Sequence, residues 1–278
     1  MSKYSYLATD EEVKQSLVPM GLYNFEGYYV AWQADADALQ KVLPPPLKLE
    51  SDIVRTYLCM IHNCTDLPRY RECNLTIKCS MNGSVGWYTL LMPVEGPGAE
   101  MAAYLGREGM KIPKKVADAF TIDRMGPMGR AQVVRGGVPL FDVKADINGQ
   151  YNDPAAEEVF KDFVPGGTVN NDSFLFQYNK GYVEGKPAYF GGRMLLAACH
   201  LEMKKWEKAT IEIELGETPN DPIAEIGVIK PIGGAYCVFD LFITGAQDMG
   251  EVDTAEGIKR VLKQRFDVGT YGHYEQEL

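Results

Sequence analysis

Two neighbouring lysines, Lys114 and Lys115, follow Pro113 in the stretch GREGMKIPKKVADAF, residues 106–120. A primary amine that attacks a ketone must first be free of its proton. A lysine of ordinary pKa ~10.4 meets that condition in only about one molecule in a few thousand at pH 7. Proline suits a first helical position, so the run after Pro113 predicts a short helix. Lys114 would then sit at the positive end of that helix, where an ammonium is disfavoured. A neighbouring ammonium at ~6 Å supplies ~3 kcal/mol at an effective dielectric of ~20 and far less in water. Consecutive helical residues also point in different directions. Desolvation in a deep apolar pocket would therefore have to do most of the work. The competing account of the same dipeptide is a pair of solvated lysines at a helix start.

Such a nucleophile needs a partner to carry protons through carbinolamine, iminium and enamine. Glu72, in the run Tyr70-Arg71-Glu72 ahead of an expected strand, is the candidate carboxylate.

Composition excludes other classes. The chain has 278 residues and a formal net charge of −10, and nucleic-acid binding needs a basic patch instead. No apolar run approaches the ~20 residues that span a bilayer, and the first ten residues lack the apolar segment of a secretion signal. These features predict a cytoplasmic protein. Its six cysteines form no C-x-x-C pair, and His62, His200 and His273 are far apart. Reduced cysteines and no metal are expected.

The elements that would position the lysines read mostly as strands. Residues 27–33, 53–62, 173–178, 194–201, 210–215, 224–229 and 235–243 have strand-like composition. Asn82-Gly83 and Gly136-Gly137 mark two hairpins. Helices are expected at 36–42, capped by Asp35 and ended by prolines 44–46, at 153–163, and at 254–266. The segment 99–105 is ambiguous, and the tail is polar. This pattern predicts an α+β fold as one domain over residues 1–278, built on a closed or nearly closed antiparallel sheet with short helices.

In their order along the chain, these segments resemble the acetoacetate decarboxylase superfamily. The matching pieces are the run from Asp35 to Leu47, Val54-Arg55, Tyr70-Arg71-Glu72, Gly106-Arg107-Glu108 with Pro113-Lys114-Lys115, Phe174 to Tyr178, Gly185-Lys186-Pro187 and Asn220-Asp221-Pro222. The resemblance implies a cone-shaped antiparallel barrel, usually in homo-oligomers, that acts on a small oxo acid without a cofactor. It implies Lys114 as the Schiff-base lysine, Lys115 as its cationic neighbour and Glu72 as an active-site acid, with Arg107 a pocket candidate. Two positions depart from the decarboxylases, which carry an arginine where this chain has Phe25 and a second acid where it has Tyr57. β-Keto acid decarboxylation is the family's usual reaction. Related aldolase–dehydratases join pyruvate to an aldehyde through the same kind of lysine, and Tyr57 and Tyr236 are candidate proton carriers for that chemistry. A ligand-binding barrel without catalysis is the third reading.

Overall fold

A computed structural model describes residues 5–17, 21–65 and 67–267. His273 and the polar tail lie outside the described residues. In chain order the elements are α1 (Asp10–Ser16), β1 (Leu22–Gln33), α2 (Ala36–Val42), β2 (Lys48–Leu49), β3 (Ile53–Cys64), β4 (Tyr70–Met81), β5 (Ser84–Glu95) and α3 (Ala99–Leu105). Next come a π-helical turn (Gly106–Met110), β6 (Lys114–Val116), β7 (Ala119–Met125), β8 (Met128–Arg135), β9 (Val138–Asp146), α4 (Ala156–Val159), β10 (Thr168–Asn170) and β11 (Ser173–Val183). The chain continues through β12 (Lys186–Leu215), a 3-10 turn (Ile223–Ile226), β13 (Lys230–Glu251) and α5 (Thr254–Arg265).

The sheet closes on itself. Strands run β11-β5-β4-β3-β1-β13-β12, and β11 pairs with β12 as well as with β5, which completes a ring of seven. Every ring pairing is antiparallel except the short β11–β5 contact. The C-terminal part of β12 leaves the ring to join β9, β8 and β7 in a second antiparallel layer. One core fills the space between this layer and the outer face of the barrel, with Tyr28, Leu58, Val133 and Phe141 fully buried. A second core lies inside, where Phe25, Tyr29, Tyr57 and Phe239 meet Phe160 and Phe163 from the α4 segment. The α+β barrel expected from the sequence is present.

Local signals that act through a few neighbouring residues are realised. Asp35 caps α2 by accepting from the Ala38 amide. Asn82 and Gly83 both adopt positive φ, 50° and 82°, as a tight β4–β5 hairpin requires. Where the structure departs from expectation, long-range pairing decides. The strands expected at 194–201 and 210–215 are parts of one strand, which pairs with β13 through the charged stretch between them and then with β9 from Thr210. The segment expected as a strand at 224–229 is the 3-10 turn and the residues after it. The helix expected at 153–163 shrinks to four residues.

The largest correction concerns the lysine stretch. Residues 114–120 form no helix: Lys114–Val116 is a short strand parallel to β5, with Met92 opposite Lys114 and Val94 opposite Val116. A helix of one or two turns is marginal alone, and β5 offers an open row of backbone partners that Val116, being β-branched, can join without strain.

Helix α5 lies against β11 and β12 at close range. A Cβ on Gly257 would fall 2.1 Å from the Phe176 ring. Glycine costs about 1 kcal/mol in a helix interior, so close approach outweighs propensity here. Gly257→Ala is expected to lower the melting temperature despite its better helix propensity, by overpacking worth about 1–3 kcal/mol. Thermal unfolding followed by circular dichroism checks this.

Candidate active site

Side chains alternate across a strand, and this settles the fate of the two lysines. Lys114 points into the barrel and Lys115 points out, although both are buried. Lys114 lines a cavity of about 60 Å³ walled by every strand of the ring, among them Leu22, Tyr57, Glu72, Thr89, Leu175, Ala197 and Leu241. Its Nζ lies 2.7 Å from Glu72 Oε2 and donates to the Tyr70 hydroxyl at 3.0 Å. Tyr70 in turn donates to Glu72 Oε2 at 3.1 Å, and Tyr57 donates to Glu72 Oε1 at 2.5 Å. Three donors thus converge on one carboxylate. Both phenols are pushed well above the usual tyrosine range, by burial first and by the Glu72 charge second, so they stay protonated donors at neutral pH.

The segment before Lys114 shapes its stem. After α3 the helix widens into the π-helical turn, closes with Lys111 in the left-handed region at φ 58°, and sends Met110 and Ile112 over the cavity. Such π-turns occur often at functional sites. A Cβ on Gly106 would fall 2.9 Å from Lys114 Cδ and 3.1 Å from Cε. The bare backbone at Gly106 leaves room for the Lys114 stem while its tip is fixed on Glu72.

Lys115 belongs to a different cluster, so its expected place beside the reacting amine is corrected. Its ammonium meets Asp221 Oδ1 at 2.9 Å and Asp267 Oδ1 at 3.1 Å and donates to the Asn220 carbonyl at 2.9 Å. Arg135 meets the same two carboxylates at 2.9 and 2.7 Å. Asp267 is held below the usual carboxylate range although burial works against it, because Lys115 and Arg135 outweigh that burial.

The remaining candidates divide. Tyr57, a candidate drawn from the family resemblance, lines the cavity. Tyr236 is not: its hydroxyl donates to Glu26, and it packs edge-on against Tyr28 at 5.5 Å. Arg107 also points elsewhere, donating to the carbonyls of Ala103 and Arg265 at 3.3 Å each. Phe25 stacks on Phe239 at 4.7 Å and meets the edge of Tyr57 at 5.5 Å, so an aromatic wall stands where the decarboxylases carry an arginine. Sequence reasoning missed Tyr70, Asn74, Thr89 and Asn171. The signal for the first two was available, because Tyr70, Glu72 and Asn74 occupy alternate positions and therefore share one face of β4. Among the described residues no group of histidine, cysteine and acidic side chains is arranged to hold a metal ion, and no helix is long and apolar enough to cross a membrane.

A closed barrel with a buried lysine–carboxylate pair defines a lysine-centred barrel of the kind the motifs suggested. The chain belongs to the acetoacetate decarboxylase (ADC) family, whose model matches residues 7–252. It is 30% identical over 267 residues to a CLA biosynthesis isomerase of Lactiplantibacillus plantarum, covering 95% of each chain. To an acetoacetate decarboxylase of Clostridium beijerinckii it is 33% identical over 227 residues, covering 80% of this chain and 85% of the relative. Among solved structures, acetoacetate decarboxylase from Legionella pneumophila superposes with a TM-score of 0.70 at 17% identity, over 90% of this chain and 98% of that one.

Two expected outcomes test the geometry. Gly106→Ala should displace the Lys114 stem and cut Lys114 reactivity at least tenfold while leaving the melting temperature nearly unchanged; amine-directed labelling with peptide mapping checks it. Asp221→Ala leaves Lys115 and Arg135 to share Asp267 alone and should cost about 1–3 kcal/mol of stability, read by urea unfolding.

Proposed function

We propose that Lys114 forms an iminium with the carbonyl of an oxo acid, and that Glu72 moves protons to and from the carbon next to it. The observation that carries this reading is the 2.7 Å contact between Lys114 Nζ and Glu72 Oε2 inside the barrel. At that distance the carboxylate can take the ammonium proton as the amine attacks the carbonyl carbon. Glu72 returns that proton to the departing hydroxyl, and loss of water from the carbinolamine leaves the iminium, which pulls electrons from an adjacent bond. If that bond is C–H, Glu72 accepts the proton and an enamine results. Returning the proton to a different carbon of an unsaturated ketone shifts its double bond with no net change in atoms or electrons. Tyr57 and Tyr70, still protonated, hold Glu72 oriented and share its charge through both steps.

The lining of the cavity favours proton relocation over loss of carbon dioxide. Lys114 is the only cation among the described residues that line it, and Phe25 and Tyr57 supply aromatic surface where the decarboxylases carry charge. The full-length likeness to a protein named an isomerase points the same way. Decarboxylation gives the same enamine by breaking a C–C bond, and family membership makes it the second reading. Capture of an aldehyde by that enamine, the aldolase–dehydratase reaction, is a further fate that the test distinguishes.

Borohydride trapping with acetoacetate, pyruvate and a neutral unsaturated ketone, read by intact mass and peptide mapping, tests the proposal. A reduced adduct on Lys114 is expected, along with ketone-dependent exchange of α-hydrogens for deuterium. Lys114→Ala should abolish both. Glu72→Gln should slow exchange by about 10²–10⁴-fold, and Lys115→Ala should act far more weakly. An isopropyl-sized adduct from acetoacetate would instead identify a decarboxylase. No adduct with any carbonyl would leave a binding barrel.

A further inference from the structure

Among the described residues Arg55 is a buried guanidinium with no carboxylate partner. It is 4% exposed, and among the described residues no acidic group lies within ion-pair distance of it. Its Nε has no hydrogen-bond partner, Nη2 donates to Asn171 Oδ1 only at 3.3 Å, and the guanidinium lies 3.3 Å from the centre of the Trp87 ring. Burying a charge this way costs several kcal/mol unless something pairs with it, and the stacked indole supplies only part of that.

The strand pattern places this group relative to Lys114. Arg55 and Tyr57 are two apart on β3, so both face the barrel interior. On the adjoining strand Arg55 stands opposite Thr76, Tyr57 opposite Asn74 and Cys59 opposite Glu72. Four residues of β4 therefore separate the level of Arg55 from that of Glu72, roughly 13 Å of strand. Asn171 stands between the two ends, lining the Lys114 cavity and accepting from Arg55. Asn74 lines the same cavity with its buried Oδ1 unpaired. Arg55 also lines a second, larger cavity of about 490 Å³. Its lining includes Lys78 and Lys161 as well as Glu158 and Asp162, and Lys161 is neutralised by Glu158 at 2.7 Å.

Resting on the iminium reading, we propose that Arg55 binds the carboxylate of the substrate, so that the natural substrate is an oxo acid whose carboxylate lies several carbons from the carbonyl held by Lys114. A carboxylate at Arg55 would replace the long Asn171 contact with a paired guanidinium fork and satisfy Nε. In acetoacetate one methylene separates the two groups, too short to engage both ends of this column. The carboxylate is then a handle that stays on the product and takes no part in the bond that breaks.

The test is borohydride trapping on Lys114 with acetoacetate, 5-oxohexanoate, 7-oxooctanoate and 9-oxodecanoate, each beside its methyl ester, and with a neutral methyl ketone. The concentration giving half-maximal adduct is the readout. In the wild type the longer acids should trap at roughly ten- to a hundredfold lower concentration than their esters, and acetoacetate should show no such advantage. Arg55→Met should bring the acid-to-ester ratio towards one, and Arg55→Lys should restore part of it. Adducts that form with no acid preference at any length overturn the proposal but leave the iminium reading intact, as does a preference that survives in Arg55→Met. No adduct even with the neutral ketone overturns both. Should Arg55→Met fail to fold, the length dependence of the wild-type ratio decides alone.

Discussion

The contact on which the structure turns is the pairing of Lys114 with Glu72 inside a closed barrel. Each ion alone would cost several kcal/mol to bury, and the mutual attraction repays that only when the remaining polar valences are filled. Tyr70 and Tyr57 fill them on the carboxylate. The pairing also needs two strands that are not neighbours to be held in register. β5 does this from both sides, with Val94 opposite Glu72 on β4 and Met92 opposite Lys114 on β6. A slip of one residue in either pairing would turn one partner out of the barrel.

The outward face of β6 carries the complementary constraint. Lys115, Arg135, Asp221 and Asp267 tie a three-residue strand to β8 and to the segments around residues 221 and 267. Arg135 adds a 2.5 Å hydrogen bond to the Val116 carbonyl. So short a strand has little pairing of its own, and this cluster holds it against β5. Lys115 thus supports Lys114 by fixing the backbone that presents it.

The interior of the barrel sets a polar column directly beside an aromatic cluster. Arg55, Tyr57, Glu72, Asn74 and Lys114 are buried on the column, and Phe25, Tyr29, Phe163 and Phe239 pack against it, with Tyr57 ringed by three of them and Arg55 over Phe163. Low polarity strengthens every charge–charge and hydrogen-bond interaction in the column and makes each unpaired group expensive. Phe25 and Tyr57 thus place aromatic surface against the polar groups that surround Lys114.

What the sequence determined by itself is what short-range physics controls. Asp35 capping α2, the Asn82-Gly83 hairpin, the strand character of residues 53–62 and the ordered motifs around Glu72 and Lys114 are legible because a few neighbouring residues set each of them. Tertiary structure decided the rest. Residues 114–120 could read as a helix because nothing local reveals the open edge of β5, and that pairing, by making the segment a strand, sent Lys114 and Lys115 to opposite faces. Arg107 and Tyr236 are plausible by type, yet they face other partners because the π-helical turn and β13 present those positions away from the cavity. Arg55 carried no local mark of its isolation, since the lack of a buried counter-charge is a property of the assembled barrel and of no stretch of chain within it.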